Sequence, residues 1–112
     1  MRHLAVAAAL GLCAAMWAAP AGAVSPSPYD MTYRVRSDTP VRSGMSSGAS
    51  VKGTLKAGTK GIVLRWCRPE IPFAEWQFGS RSVKRKLLDE RWCEIQSGTL
   101  IGNVDGKALR PD

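Results

Sequence analysis

The chain is 112 residues long, with a formal net charge of +7, three cysteines and one histidine, which bounds it to a single small domain. His3 and Cys13 both fall in an amino-terminal segment that has the form of a secretory signal, so the remaining 89 residues (112 minus 23) keep two cysteines and no histidine. That remainder excludes a Ser-His-Asp or Cys-His catalytic group and a His-containing zinc site, and two cysteines alone do not complete a tetrahedral structural site.

In chain order, residues 1–23 begin with Arg2, continue as an apolar run from Leu4 to Ala19, and end on Pro20-Ala21-Gly22-Ala23, where Ala21 and Ala23 hold the A-x-A positions read by signal peptidase. The run of about 16 residues is short of the roughly 20 that span a bilayer. Cys13 lies too deep in it to be the lipidated first residue of a mature chain. The expected destination is therefore a periplasm or the exterior of the cell, with no membrane span after cleavage. The mature charge is +6, from 15 Lys/Arg against 9 Asp/Glu, which favours anionic partners by long-range attraction.

Residues 24–32 read as an extended, proline-rich entry, Ser25-Pro26-Ser27-Pro28. Tyr29 to Arg36 alternates, with Tyr33 and Val35 on one face and Arg34 and Arg36 on the other, the period of a half-buried strand. Asp38 to Ser50, with Pro40, Gly44 and Gly48, reads as a turn-rich excursion. Val51 to Leu55 and Lys60 to Cys67 are predicted strands joined by the turn Lys56-Ala57-Gly58-Thr59, close enough to form a hairpin. Arg91 to Gln96, the turn Ser97-Gly98 and Thr99 to Val104 make a second hairpin. Five short strands with no long helical period predict an all-β fold, a small barrel or sandwich, with Leu55, Ile62, Leu64 and Ile95 in its core.

The tripeptide Arg-Trp-Cys occurs twice, at Arg65-Trp66-Cys67 and Arg91-Trp92-Cys93. The likeness stops at three residues, so it is not an architectural repeat. In an oxidising compartment an even pair of cysteines in a small domain reads as one disulfide, Cys67 with Cys93. Closing a loop of about 25 residues is worth roughly 3 to 4 kcal/mol in the chain-entropy model. Strict alternation sets Trp66 with Ile62 and Leu64 but puts Trp92 opposite in phase to Ile95, which calls for a bulge or a misassigned core residue in one of the two strands. Core or half-buried packing is expected for Trp66 and Trp92; the alternative is a solvent-facing pair that stacks on sugar or peptide.

The run Thr39-Pro40-Val41-Arg42-Ser43-Gly44-Met45, then Val51-Lys52-Gly53-Thr54-Leu55-Lys56-Ala57-Gly58-Thr59-Lys60 and Ile62-Val63-Leu64, resembles the bacterial Src-homology-3-type domain. Trp92-Cys93-Glu94-Ile95 is similar to that family's tryptophan-centred strand, and Gly102-Asn103-Val104 with Ala108-Leu109 to its closing segments. Asn103 stands where the family commonly has tryptophan. The resemblance implies a small Src-homology-3-like (SH3-like) barrel over residues 33–112. Adjacent barrel strands would then end at Cys67 and Cys93, with residues 68–90 as a long insertion between two central strands.

Within the insertion, Ile71 to Phe78 carries Phe73, Trp76 and Phe78, and Arg81 to Glu90 carries Arg81, Lys84, Arg85 and Lys86. Ser82 is positioned to cap a short helix whose Val83, Leu87 and Leu88 face the barrel. In one reading the aromatics pack over the barrel and the cations form a solvated face. In the other, Trp76 and Phe78 stand beside Arg81, Lys84, Arg85 and Lys86 as a stacking and cationic surface for an anionic glycan or an acidic protein patch. Export argues against nucleic acid. The carboxylates are dispersed, so neither an enzyme nor a cofactor or metal is expected. Family members are envelope binding modules that recognise peptidoglycan peptides. The expectation is a monomeric, non-catalytic module that binds peptidoglycan or an acidic envelope protein, or else a regulator of an envelope enzyme.

Overall fold

The computed structural model describes residues 25–112; the segment read as a secretory signal lies outside the described residues. Among the described residues seven strands are present: β1 (Thr32–Val35), β2 (Thr39–Arg42), β3 (Val51–Leu55), β4 (Ile62–Arg68), β5 (Trp92–Ser97), β6 (Leu100–Asp105) and β7 (Leu109–Pro111). Two helices, α1 (Phe73–Phe78) and α2 (Arg81–Asp89), lie between β4 and β5, and a 3-10 turn, Gly106–Ala108, precedes β7. All strand pairings are antiparallel, in the order β3-β2-β6-β5-β4-β1-β7, and the sheet curls into a half-barrel.

The two strands missed in the sequence are β2 and β7. β2 lies inside the stretch read as an excursion and carries Pro40, which has no N–H to give a ladder. It meets β6 at the single register pair Arg42↔Asn103, so the proline is spared a second complete ladder. β7 is three residues long, too short to show a period of its own.

The predicted hairpin of β3 with β4 does not form. β3 pairs with β2, and β4 pairs with β5 and β1. Only Leu55 of β3 is buried, so this strand has little apolar face to lay beside β4. The connecting turn instead crosses to β1. Val35 donates its N–H to the Thr59 carbonyl, and Gly58, at φ 89°, donates to the Val35 carbonyl. A side chain at Gly58 would be strained in this left-handed conformation. The predicted β5–β6 hairpin is present, its turn centred one residue later on Gly98-Thr99 between the paired Ser97 and Leu100.

Cys67 lies directly across the ladder from Cys93, and the two form a disulfide. Of the two alternatives for the phase conflict, a bulge or a misassigned core residue, a bulge is found, in β4: Leu64 pairs with Ile95 and Trp66 with Glu94, leaving Arg65 as the extra residue. This irregularity changes the phase of the strand. Ile62 and Leu64 face the core before it, and Cys67, not Trp66, faces the core after it.

Tyr33, Val35, Val41, Leu55, Ile62, Leu64, Ile95, Val104 and Leu109 fill the concave side of the sheet. The insertion closes one end of that core as two helices instead of a loop. Leu87 and Leu88 of α2 and Trp76 of α1 are buried, while Val83 is 38% exposed. The cap of α2 is Ser80, two residues before the serine proposed from sequence; its Oγ accepts from the Val83 N–H. α2 ends hard against the 3-10 turn, where a Cβ on Gly106 would collide with the carbonyl oxygens of Leu88 and Arg91. A glycine is required there by space.

Candidate functional site

The residues proposed as one surface are not brought together as one. Trp76 is fully buried, with its ring centroid 6.5 Å from that of Tyr33, so it does not belong to a ligand surface. In a six-residue helix only one face meets the sheet, and the largest apolar ring occupies it. Phe78, at the end of the same helix, is 71% exposed.

Trp66 is half-buried on the outer face of β4. Its Nε1 donates to Glu94 Oε2 at 2.8 Å, the oxygen that also accepts from Arg65 Nε at 2.8 Å, and the Arg68 guanidinium lies 4.3 Å from its ring centroid. One face of the indole is thus covered by a cation, and its N–H is used. Trp92, also half-buried, is opposite Arg68 in the ladder and lines a shallow cavity of about 260 Å³ with Asp38, Arg42 and Asp105. Both carboxylates in that cavity cap turns, Asp38 accepting from the Ala57 N–H and Asp105 from the Lys107 N–H.

Arg81, Lys84 and Arg85 are brought together, and they have company. At spacings of three and four residues they share one face of α2, and that face forms one wall of a groove of about 460 Å³. The opposite wall is the β1–β7 edge, which contributes Arg34, Arg36 and Arg110. Arg34 and Arg110 are direct cross-strand neighbours. Lys86, next in sequence to Arg85, is not part of the groove.

Two of the six cations are fixed by the protein. Lys84 Nζ donates to Ser25 Oγ at 2.6 Å and to the Gly79 carbonyl at 3.1 Å. Arg110 Nη1 donates to its neighbouring Leu109 carbonyl and lies 3.5 Å from Asp89 Oδ1. The other four, Arg34, Arg36, Arg81 and Arg85, make no side-chain hydrogen bond or ion pair among the described residues. Among the described residues the one carboxylate side chain lining the groove is that of Asp112, whose Oδ2 accepts from Thr32 Oγ1 and from the Gly61 N–H.

Sequence reading found the α2 half of this groove and missed the sheet half. Arg34 and Arg36 were legible as outward residues of an alternating strand; what brings Arg110 beside them is a pairing between the two ends of the domain. Arg91, in the second Arg-Trp-Cys, was also missed. It donates to the Pro69, Glu70 and Leu87 carbonyl oxygens and so ties both ends of the insertion to the barrel.

Two tyrosines near the insertion are perturbed. Burial, then the hydrogen bond to Glu70, pushes Tyr29 up to about 12. Burial raises Tyr33 further; its hydroxyl donates to the Pro28 carbonyl at 2.7 Å. Among the described residues no three His, Cys, Asp or Glu side chains are grouped to hold a metal ion, and no helix is long and apolar enough to cross a membrane. Comparison with protein-family models, with curated proteins and with solved structures returns no match.

Proposed function

We propose that this chain is an exported, non-catalytic binding module of the bacterial envelope, built on a Src-homology-3-like barrel, that attaches to peptidoglycan or another anionic wall-associated ligand. The observation that carries this reading is the groove between β1–β7 and α2, which among the described residues is lined by six cationic side chains and one carboxylate side chain. A concave surface of one sign focuses its field and gathers anionic ligands at long range. The sequence resemblance and the export-type amino terminus supply the envelope context.

Co-sedimentation with purified sacculi tests it. Replacing Arg81 and Arg85 together by Ser should lower the bound fraction by about three- to tenfold, as expected for two charge-assisted contacts, whereas Lys86→Ser, outside the groove, should leave it unchanged. Wild-type protein that stays in the supernatant would end the wall reading.

A second reading is supported by the exposed apolar side chains of the insertion. Phe73 is 56% and Phe78 71% exposed, and exposed aromatics beside basic residues suit a protein contact. In that case the chain regulates an envelope enzyme, as inhibitor or accessory subunit. A stoichiometric protein partner recovered by pull-down, lost in Phe78→Ser and accompanied by no sacculus binding, would favour it.

A further inference from the structure

We infer that the groove between β1–β7 and α2 is a phosphate site, taking an envelope ligand through one or two phosphomonoester or phosphodiester groups. This rests on the binding-module reading above and names the chemistry of its ligand.

The first reason is the disposition of charge. Arg34 and Arg110 face each other across the β1–β7 ladder, an arrangement that destabilises a sheet when both residues are of one sign. Arg36 extends that row, and Arg81, Lys84 and Arg85 close over it from α2. Asp89 answers Arg110 alone, at 3.5 Å. A groove that converges this much positive charge on one concavity is relieved by a multiply charged anion, which binds the folded state and stabilises it.

The second reason is the type of cation. All four groups without an internal partner among the described residues are arginines: Arg34, Arg36, Arg81 and Arg85. Their planar forks bind phosphate oxygens in pairs, with a geometry that lysine does not offer. Lys84, held by Ser25 and Gly79, stands among them as a fixed point charge.

The third reason is what the groove lacks. Among the described residues no aromatic side chain lines it. Trp76 is in the core, Trp66 is on the outer face of β4, and Trp92 lines the other cavity. Recognition of single-stranded nucleic acid relies on bases stacked upon aromatic rings, and this groove has no such platform. It reads charge and oxygen geometry, and its volume of about 460 Å³ is within the range of small-ligand sites.

Inorganic pyrophosphate is the probe, with citrate as a carboxylate control of similar charge. Pyrophosphate should raise Tm and bind by calorimetry at least about tenfold more tightly than citrate, because each phosphoryl group offers three terminal oxygens where a carboxylate offers two, and one further hydrogen bond to a charged group is worth roughly that factor. The Arg34→Gln/Arg85→Gln protein should keep the far-ultraviolet spectrum of the parent and lose that binding by at least about tenfold. Equal binding of citrate, no change in Tm, or an unaltered affinity in the double variant would each overturn the assignment.

Vesicles identify the source of the phosphate. Capture by phosphatidylglycerol but not phosphatidylcholine vesicles, reversed by pyrophosphate, upholds the site and places the phosphate on a lipid headgroup. Pyrophosphate binding without capture upholds it and places the phosphate on a soluble or wall-borne polymer. Sacculus binding is scored separately: pyrophosphate binding without it retires the wall reading alone, and sacculus binding by a protein that does not bind pyrophosphate retires the phosphate site alone.

Discussion

Trp76 combines the largest buried ring of the described residues with an indole N–H that has no hydrogen-bond partner among them. The ring contributes apolar burial and the tilted contact with Tyr33, while the orphan donor subtracts from that gain. Trp76→Ala should therefore cost about 3 to 5 kcal/mol. Trp76→Phe should cost clearly less, because it keeps an aromatic body and deletes the unpaired N–H; urea denaturation of the two variants measures the difference. The tyrosines give a pH signature at the same scale. A phenol whose folded pKa is raised stays protonated in the native state after the unfolded chain has ionised. Its stabilising effect is complete below about pH 10 and, for Tyr29, is lost as pH rises from there through about 12. Because the chain has only two tyrosines, tyrosinate absorbance should show no ionisation at the ordinary value until the protein unfolds. A transition near pH 10 in the folded protein would contradict the burial of Tyr33 and the Glu70 contact of the half-buried Tyr29.

The insertion is held by three devices that belong to its elements. The disulfide joins the strands at its two ends, Arg91 binds three carbonyl oxygens across its mouth, and Leu87 and Leu88 anchor α2 in the core. The disulfide acts chiefly on the unfolded chain. Replacing Cys67 and Cys93 together by Ala should lower unfolding free energy by about 3 kcal/mol while Arg91 and the two leucines keep the helices in place. The measurement is chemical denaturation, with sacculus binding retained below the lowered Tm. Loss of binding in the folded variant would show that the bond also shapes the groove.

For the whole molecule, charge sets two opposed responses to salt. The unliganded groove gathers like charges, and raising ionic strength from about 0.01 to 0.15 M shortens the screening length from about 30 to 8 Å. Added sodium chloride should raise Tm by relieving that repulsion and, over the same range, weaken attachment to an anionic ligand. Thermal scans and co-sedimentation across one salt series read both signs. A single common sign would mean that the groove charges do not govern binding.

Local patterns in the sequence are enough for the all-β class, the Tyr33/Val35 alternation, the core positions Leu55, Ile62, Leu64 and Ile95, the disulfide and a conflict of phase near the tryptophans. These follow from local period, residue volume and cysteine count, each legible within a few residues. Tertiary structure decided the rest. Whether β3 turns back on β4 depends on what face it has to bury; which side Trp66 takes depends on the extra residue Arg65; and burial of Trp76 depends on a sheet surface supplied by Tyr33. The groove is the clearest case. Arg81, Lys84 and Arg85 share a helix face by their spacing, but Arg34 and Arg36 join Arg110 only because β1 pairs with β7, a contact between the ends of the domain that no local pattern encodes. A charge becomes part of a site through the distances the fold imposes on it, and in this protein those distances were set by strand pairing.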